Sequence, residues 1–236
     1  MMRLDKFLCE TAGFTRSEAK QAIKKGWISV NSTPVKNADM KVAEEADVVT
    51  LQGKPLSFAK FHYYLLHKPA GVITATEDKS QKTVLDLLGG IPTKNLFPVG
   101  RLDKDTEGLL LITDDGELSH KLLSPKKHVD KTYFCLLKKD ISEADIKALS
   151  EGVYIGDEKP TMPASVKVLS EREVELTIRE GRFHQVKRMM QAVGNEVLYL
   201  KRLSMGPLSL PDDLEKGCFR PLSDTEIAQL KQEKLL

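Results

Sequence analysis

The sequence predicts an α+β protein in two parts, and three observations predict it. Short amphipathic helix patterns and short strand patterns interleave along the chain. The first fifty residues read as helix, helix, hairpin and strand, and a stretch from Gly53 to Lys60 reads as a linker. Residues 61–236 then carry a longer succession of strand candidates separated by short helices. A chain of 236 residues and 26.4 kDa has room for a small domain and a medium one.

Composition narrows the class without choosing a function. An apolar share of 41% with 30% charged residues is that of an ordinary soluble globular protein. The net charge is only +2, so any nucleic-acid signal has to be local. Cys9, Cys135 and Cys218 are far apart and odd in number, which makes neither a disulfide framework nor a metal cluster and suits a reducing cytosol. No apolar run approaches the roughly 20 residues of a membrane span. Met1 to Gly13 lacks the apolar core of a signal peptide, so the expected location is cytoplasmic.

In the first part, Leu4, Phe7 and Leu8 recur at helical spacing and predict a helix over about Arg3 to Thr11, broken by Gly13. Thr15-Arg16-Ser17-Glu18 is a capping box opening a second helix, with Ala19, Ala22 and Ile23 inward and Gly26 at its end. Trp27 to Val30 and Pro34-Val35 flank Asn31-Ser32 as a hairpin, and Asp47 to Leu51 is a further strand. Seven Lys and Arg face three acids through residue 36, a local net of +4. Arg16, Lys20 and Lys24 share one helix face, either as a solvated stripe or as a phosphate contact.

In the second part, Phe61 to Leu66 is a strand candidate leading into Lys68-Pro69-Ala70-Gly71. Thr83 is expected to cap a helix reaching Leu88, and Leu96 to Val99 to form a strand. Leu118 to Leu123 reads as a helix, followed by a basic loop, Ser124 to Tyr133, that runs into a strand. A helix from Ser142 to about Ser150 and strands over Met162 to Leu169, Glu173 to Ile178 and Val197 to Leu200 follow. Gly217 to Leu222 is a closing strand, and Ser223 caps a last helix.

Residues 100–116, Gly-Arg-Leu-Asp-Lys-Asp-Thr-Glu-Gly-Leu-Leu-Leu-Ile-Thr-Asp-Asp-Gly, organise the rest. Arg101, Asp103, Lys104, Asp105 and Glu107 crowd a loop that runs into Leu109 to Ile112, a short apolar run closed by a turn signal. From residue types alone this is either a solvated loop with ordinary ion pairs or a loop holding a working carboxylate still.

The wording of the segment resembles the Gly-Arg-Leu-Asp motif of pseudouridine synthases, which isomerise uridine within RNA, and most resembles the group acting on small-subunit (16S) ribosomal RNA. The resemblance implies that Asp103 is the catalytic residue. Lys68 of Lys-Pro-x-Gly would buttress the active site. Tyr133, in Lys-Thr-Tyr, would stack on the target base, and Ile178 would pack beneath the uracil. Gly181-Arg182-Phe183-His184-Gln185-Val186-Lys187-Arg188-Met189 resembles the family's Gly-Arg-x-His-Gln-Val-Lys-Arg-Met element. It implies a helix lining the site, Lys187 pairing with Asp103, Arg101 as a second cation, and phosphate contacts from Arg182 and Arg188. Gly217 to Leu222 resembles the family's closing Gly-x-x-Arg-Pro-Leu strand. Arg-Leu-Asp-Lys-Phe-Leu with Thr-Arg-Ser-Glu-Ala, over roughly residues 2–48, resembles the S4 RNA-binding domain, and makes Arg3, Lys6, Arg16, Lys20 and Lys24 the expected RNA contacts.

The implied architecture is a small S4-like domain (1–52), a linker (53–60) and a synthase domain (61–236) with a mixed, mostly antiparallel sheet flanked by helices. The implied partner is 16S rRNA, free or in a small-subunit assembly particle, bound by a monomer that needs no cofactor, metal or membrane. No dinucleotide loop, Walker lysine loop or metal-spaced cluster is legible. Three alternatives are weighed against this reading: a large-subunit 23S rRNA synthase of the same architecture, a non-catalytic RNA-binding assembly protein, and a hydrolase built on Asp103 and His184. The last would need a water activator and an oxyanion site, and no Gly-x-Ser-x-Gly elbow appears.

Overall fold

The structure is a computed structural model that describes residues 1–236 except 45, 57, 59, 60, 125, 126 and 233–236. The chain divides into two compact units, Met1–Lys60 and Phe61–Leu236.

In the first unit, β1 (Met2–Arg3) leads into α1 (Leu4–Ala12), which stops at Gly13 in the left-handed conformation (φ 66°). The box expected at the start of α2 (Arg16–Lys24) is formed. The Glu18 amide donates to the Thr15 hydroxyl at 3.2 Å and the Thr15 amide to the Glu18 carboxylate at 2.7 Å. Leu4, Phe7 and Leu8 meet Ala19, Ala22 and Ile23 in one core. β2 (Ile28–Val30) and β3 (Thr33–Pro34) form the hairpin, with Asn31 and Ser32 both at positive φ, as a type I′ turn requires. β4 (Lys41–Val42) pairs with β1. β5 (Val49–Leu51) and β6 (Lys54–Leu56) complete a sheet of order β3-β2-β5-β6.

That last strand corrects the expected linker. Lys54–Leu56 pairs antiparallel with β5, and the Phe58 ring stacks on Phe7 with centroids 5.8 Å apart. A three-residue strand containing Pro55 carries too little pattern to be read from sequence, and Pro55 is tolerated because β6 lies at the sheet edge.

The second unit contains β7 (Tyr63–Lys68), β8 (Phe97–Pro98), β9 (Glu107–Thr113), α3 (Gly116–Leu123), β10 (Lys131–Leu137), α4 (Glu143–Glu151), β11 (Ser165–Ser170), β12 (Glu173–Ile178), α5 (Gln185–Ala192), β13 (Val197–Met205), β14 (Leu208–Ser209), β15 (Phe219–Pro221) and α6 (Asp224–Leu230). Its sheet runs β11-β12-β10-β13-β9-β7-β15, with β14 beside β13 and β8 beside β9. Among the described residues only β9 and β13 pair in parallel, so the sheet is mixed and mostly antiparallel.

β9 is buried along its whole length because both faces of the sheet are covered there. Leu110 and Ile112 enter one apolar cluster with Val84, Leu102 and Met189. Leu109 and Leu111 enter the other with Val99, Leu118 and Met205. Gly108 sits where β9 crosses Arg202 of β13. It has φ 107°, and a Cβ there would lie 2.2 Å from the Arg202 carbonyl oxygen, so no other residue fits.

The helix expected from Thr83 to Leu88 is a single 3-10 turn, Leu85–Leu87. The turn starts after Val84, and Thr83 and Asp86 bond reciprocally across its start, the Asp86 amide donating to the Thr83 hydroxyl at 3.4 Å and the Thr83 amide to the Asp86 carboxylate at 2.7 Å. Gly89 and Gly90 follow at once, and one turn cannot repay the cost of helix nucleation.

Candidate active site

The loop that precedes β9 is fixed from below. Lys68, at the end of β7, is fully buried, and its three N–H donors are shared among four carbonyl oxygens: Thr106 at 2.8 Å, Asp103 at 3.0 Å, Pro69 at 3.1 Å and Lys104 at 3.3 Å. Burial pushes the Lys68 ammonium down to about 8, against the opposing pull of Asp105, Asp103 and Glu107. Thr74 exchanges two hydrogen bonds with Leu102, one through its hydroxyl to the Leu102 carbonyl at 2.7 Å and one from the Leu102 amide at 3.1 Å. The Gly71 amide donates to the Lys104 carbonyl at 2.8 Å. At the far end, Glu107 accepts from the Tyr199 hydroxyl at 2.6 Å and from Lys216 at 2.7 Å. The backbone carrying Asp103 is therefore held from several sides, while its carboxylate faces a cleft of about 750 Å³.

Across the cleft, α5 begins after His184, whose φ of 49° turns the chain sharply into the helix. Lys187, in its first turn, places its ammonium 3.3 Å from the Asp103 carboxylate, and His184 Nε2 lies 3.5 Å from the other oxygen. The expected pairing is present, with one addition. Lys187 is closer to Asp105, at 2.6 and 2.8 Å, and holds that carboxyl below its usual range. The cation is thus shared between two carboxylates of the same loop. Arg101 lines the cleft with its side chain exposed, and it reaches no carboxylate among the described residues. Its expected role as a second cation on Asp103 is not seen in this geometry.

The cleft floor is the sheet. Tyr133 stands opposite Leu176 on β12 and Arg202 on β13, and Ile178 stands opposite Lys131. Residues directly opposite in an antiparallel pair share a face, so these side chains meet on one surface. Tyr133 and Ile178 are buried and line the cleft with Lys131 and Arg202. Sequence reasoning missed the two cations. Lys131 is in phase with Tyr133, Cys135 and Leu137 along β10, all buried, and that period-two register was the available signal.

Arg182 and Arg188, expected on phosphates, are occupied within the protein. Arg182 bonds the Glu180 carboxylate at 3.0 Å and the carbonyls of Lys159 and Pro160 at 2.8 and 2.7 Å. Arg188 bonds the carbonyls of Ile155 at 2.8 Å and Phe183 at 2.9 Å. Both also pair with Asp157, whose carboxyl the Arg188 guanidinium holds below its usual range. They tie the segment around residues 155–160 to the start of α5.

In the first unit, Arg3 is bound to Asp5 and Asp39, and Lys6 is 3.6 Å from Glu10. Arg16, Lys20 and Lys24 are exposed and make no hydrogen bond or ion pair among the described residues. Of the lysine pair in the basic loop, Lys126 lies outside the described residues and Lys127 is exposed. Among the described residues no three His, Cys, Asp or Glu side chains gather as a metal-holding group.

Residues 62–192 match the family described as RNA pseudouridylate synthase, and residues 2–49 match the S4 domain. An uncharacterized RNA pseudouridine synthase of Bacillus subtilis is 46% identical over 236 residues, covering 98% of this chain and 99% of that protein. The ribosomal small subunit pseudouridine synthase A of Vibrio cholerae is 42% identical, over 97% of this chain and 99% of its own. A crystal structure described as that of a pseudouridylate synthase matches with a TM-score of 0.70 at 39% identity, covering 98% of this chain and all of the other. The matched segment contains the loop, its lysine support and the helix that faces it, and the relatives span nearly the whole chain, so the protein belongs to the RNA pseudouridine synthase family and carries an amino-terminal S4 domain.

Proposed function

We propose that the protein isomerises one uridine of 16S ribosomal RNA, in the small subunit, to pseudouridine, with Asp103 as the catalytic carboxylate. The observation that carries the chemistry is Asp103 facing the cleft, with Lys187 at 3.3 Å and its backbone fixed by Lys68. The choice of subunit rests on the name borne by the Vibrio cholerae relative.

The reaction breaks the N1–C1′ bond, turns the uracil and rejoins it through C5 to C1′. One ionised carboxylate suffices, whether it attacks the sugar, attacks the base or removes a sugar proton, and a cation this close favours the ionised form. The uridine leaves its stack at a cost of a few kcal/mol, and stacking on Tyr133, with Ile178 beneath the uracil, offsets part of that cost. Arg16, Lys20 and Lys24 supply the sequence-independent phosphate contact of the S4 domain. The protein works as a monomer in the cytoplasm, on free 16S rRNA or on a partly assembled small subunit.

The test is pseudouridine mapping, by carbodiimide modification and primer extension, of unmodified 16S and 23S rRNA incubated with the protein. One new stop in 16S rRNA is expected. A stop in 23S rRNA alone would overturn the choice of subunit, and binding without modification of either RNA would replace the enzyme by an RNA-binding assembly protein.

A further inference from the structure

Two buried cations in the cleft floor make no ion pair among the described residues. Lys131 is buried, and its ammonium donates to the Val129 carbonyl at 3.0 Å. Arg202 is 2% exposed. Its Nε donates to the Leu109 carbonyl at 2.7 Å, and its Nη2 has no hydrogen-bond partner among the described residues. Neither makes an ion pair among the described residues, and burial and the nearby Arg202 charge together hold the Lys131 ammonium down to about 8, against the weaker opposing pull of Asp130. Burying like charges side by side is unfavourable, and an unpaired buried donor forfeits its hydration without a return bond. Such a pair stores an unmet demand for negative charge.

We infer that Lys131 and Arg202 form an electrophilic floor that receives the negative charge developing on the uracil when its glycosidic bond breaks. This rests on the reaction proposed above. Arg202 stands directly opposite Tyr133, and Lys131 directly opposite Ile178, so the two cations share one face with the tyrosine and the isoleucine between which the base is expected to lie.

The demand exists on every route open to Asp103. If the carboxylate adds to C1′ or removes the C2′ proton, the N1–C1′ electron pair departs with the base. The base is then an anion, with charge spread over N1, C5 and the two carbonyl oxygens. If the carboxylate adds to C6 instead, the displaced π electrons reach C5 and the C4 oxygen. The charge is returned when C5 bonds to C1′. That step expels the carboxylate from C1′, or takes the borrowed proton back onto C2′, or is followed by loss of the carboxylate from C6. The hydrogen on C5 then leaves as a proton, so no oxidant or further reactant enters. Fixed cations in a water-poor site stabilise such charge without having to reorganise. Depth favours the base over a phosphate as the occupant: the free cations of the first unit lie on an exposed helix face, whereas these two lie on the covered face of a sheet.

The test compares single-turnover rates on a bound RNA whose target is uridine or 5-fluorouridine, the latter giving a more stable base anion. The readout is loss of the target nucleoside in digests of the RNA. Lys131→Met is expected to slow the uridine reaction by about 100-fold, the loss typical when one donor to a developing anion is removed. The loss should be markedly smaller on 5-fluorouridine, RNA affinity should be unchanged, and Lys131→Arg should recover most of the rate. Should Lys131→Met fail to fold by thermal melting, Lys131→Gln keeps a donor for the Val129 carbonyl and carries the same comparison. Arg202→Lys against Arg202→Gln repeats it on the second cation.

Equal losses on both substrates would reduce the pair to a structural role, and affinity falling in step with rate would reassign it to an RNA phosphate. Either result overturns the inference. A wild type that modifies no RNA would instead strike the proposed reaction itself, and the inference would fall with it.

Discussion

The basic residues on α2 and three basic residues around the cleft look alike in sequence and behave in opposite ways. Arg16, Lys20 and Lys24 stand on one exposed face of α2 with no hydrogen bond or ion pair among the described residues. Lys68, Arg182 and Arg188 spend their donors on backbone carbonyls and acids of their own unit. The comparison teaches that a cation in an RNA-binding motif contacts RNA only if the fold has left it free. In the synthase unit the fold has used Lys68, Arg182 and Arg188 to hold the cleft together, as it has tied up Arg3 and Lys6 in the first unit.

The strongest way to break that comparison is Lys68→Met. It leaves several buried carbonyls without their donor and should cost roughly 3 kcal/mol in urea melts, with turnover lost even where the protein is still folded. Unchanged stability would return Lys68 to the free class. Arg188→Gln is expected to cost about 2 kcal/mol by the same measurement, while the salt dependence of RNA binding stays as in wild type. A shallower salt slope would show Arg188 on phosphate after all. The joint replacement of Arg16, Lys20 and Lys24 by Gln should do the reverse. Melting is expected to be unchanged, and the slope of log affinity against log salt to shrink by about 2.

A further effect is one of pH. Lys68 and Lys131 are held down to about 8 in the folded protein against 10.5 for the free side chain, so between those values the unfolded chain binds more protons. Stability should therefore rise with pH from about 8 upward, and Lys131→Met should flatten part of the rise. Tyr63 and Tyr199, both held above their ordinary value by burial, act in the opposite sense and close that window near pH 10. A flat profile in urea melts at pH 7.5, 8.5 and 9.5 would contradict the burial of both lysines.

These contrasts also mark what sequence could convey. Local signals carried through: the capping box at Thr15, the cap at Ser223, the hairpin turn at Asn31-Ser32, and the apolar run of β9. The Asp103 loop, Tyr133, Ile178 and Lys187 are expected around one site, and the structure gathers them in one cleft. What stayed hidden depends on distant partners. Besides the neighbouring Glu180 and Phe183, the acceptors of Arg182 and Arg188 lie on a segment 22 to 33 residues earlier, and Lys68 reaches carbonyls up to 38 residues later. No spacing rule encodes such contacts. The preference of Lys187 for Asp105 over Asp103 is a matter of under 1 Å.

The most direct test of the central claim, that Asp103 is the carboxylate this rigid loop exists to present, is the single-turnover rate of Asp103→Asn on 16S rRNA at saturating protein. The substitution keeps size and shape, so melting and RNA affinity should match wild type. The rate should fall by about 10³-fold or more, as for a group that acts on the reacting atoms. A variant that binds the RNA, melts normally and still forms pseudouridine at a rate within a few-fold of wild type would contradict it.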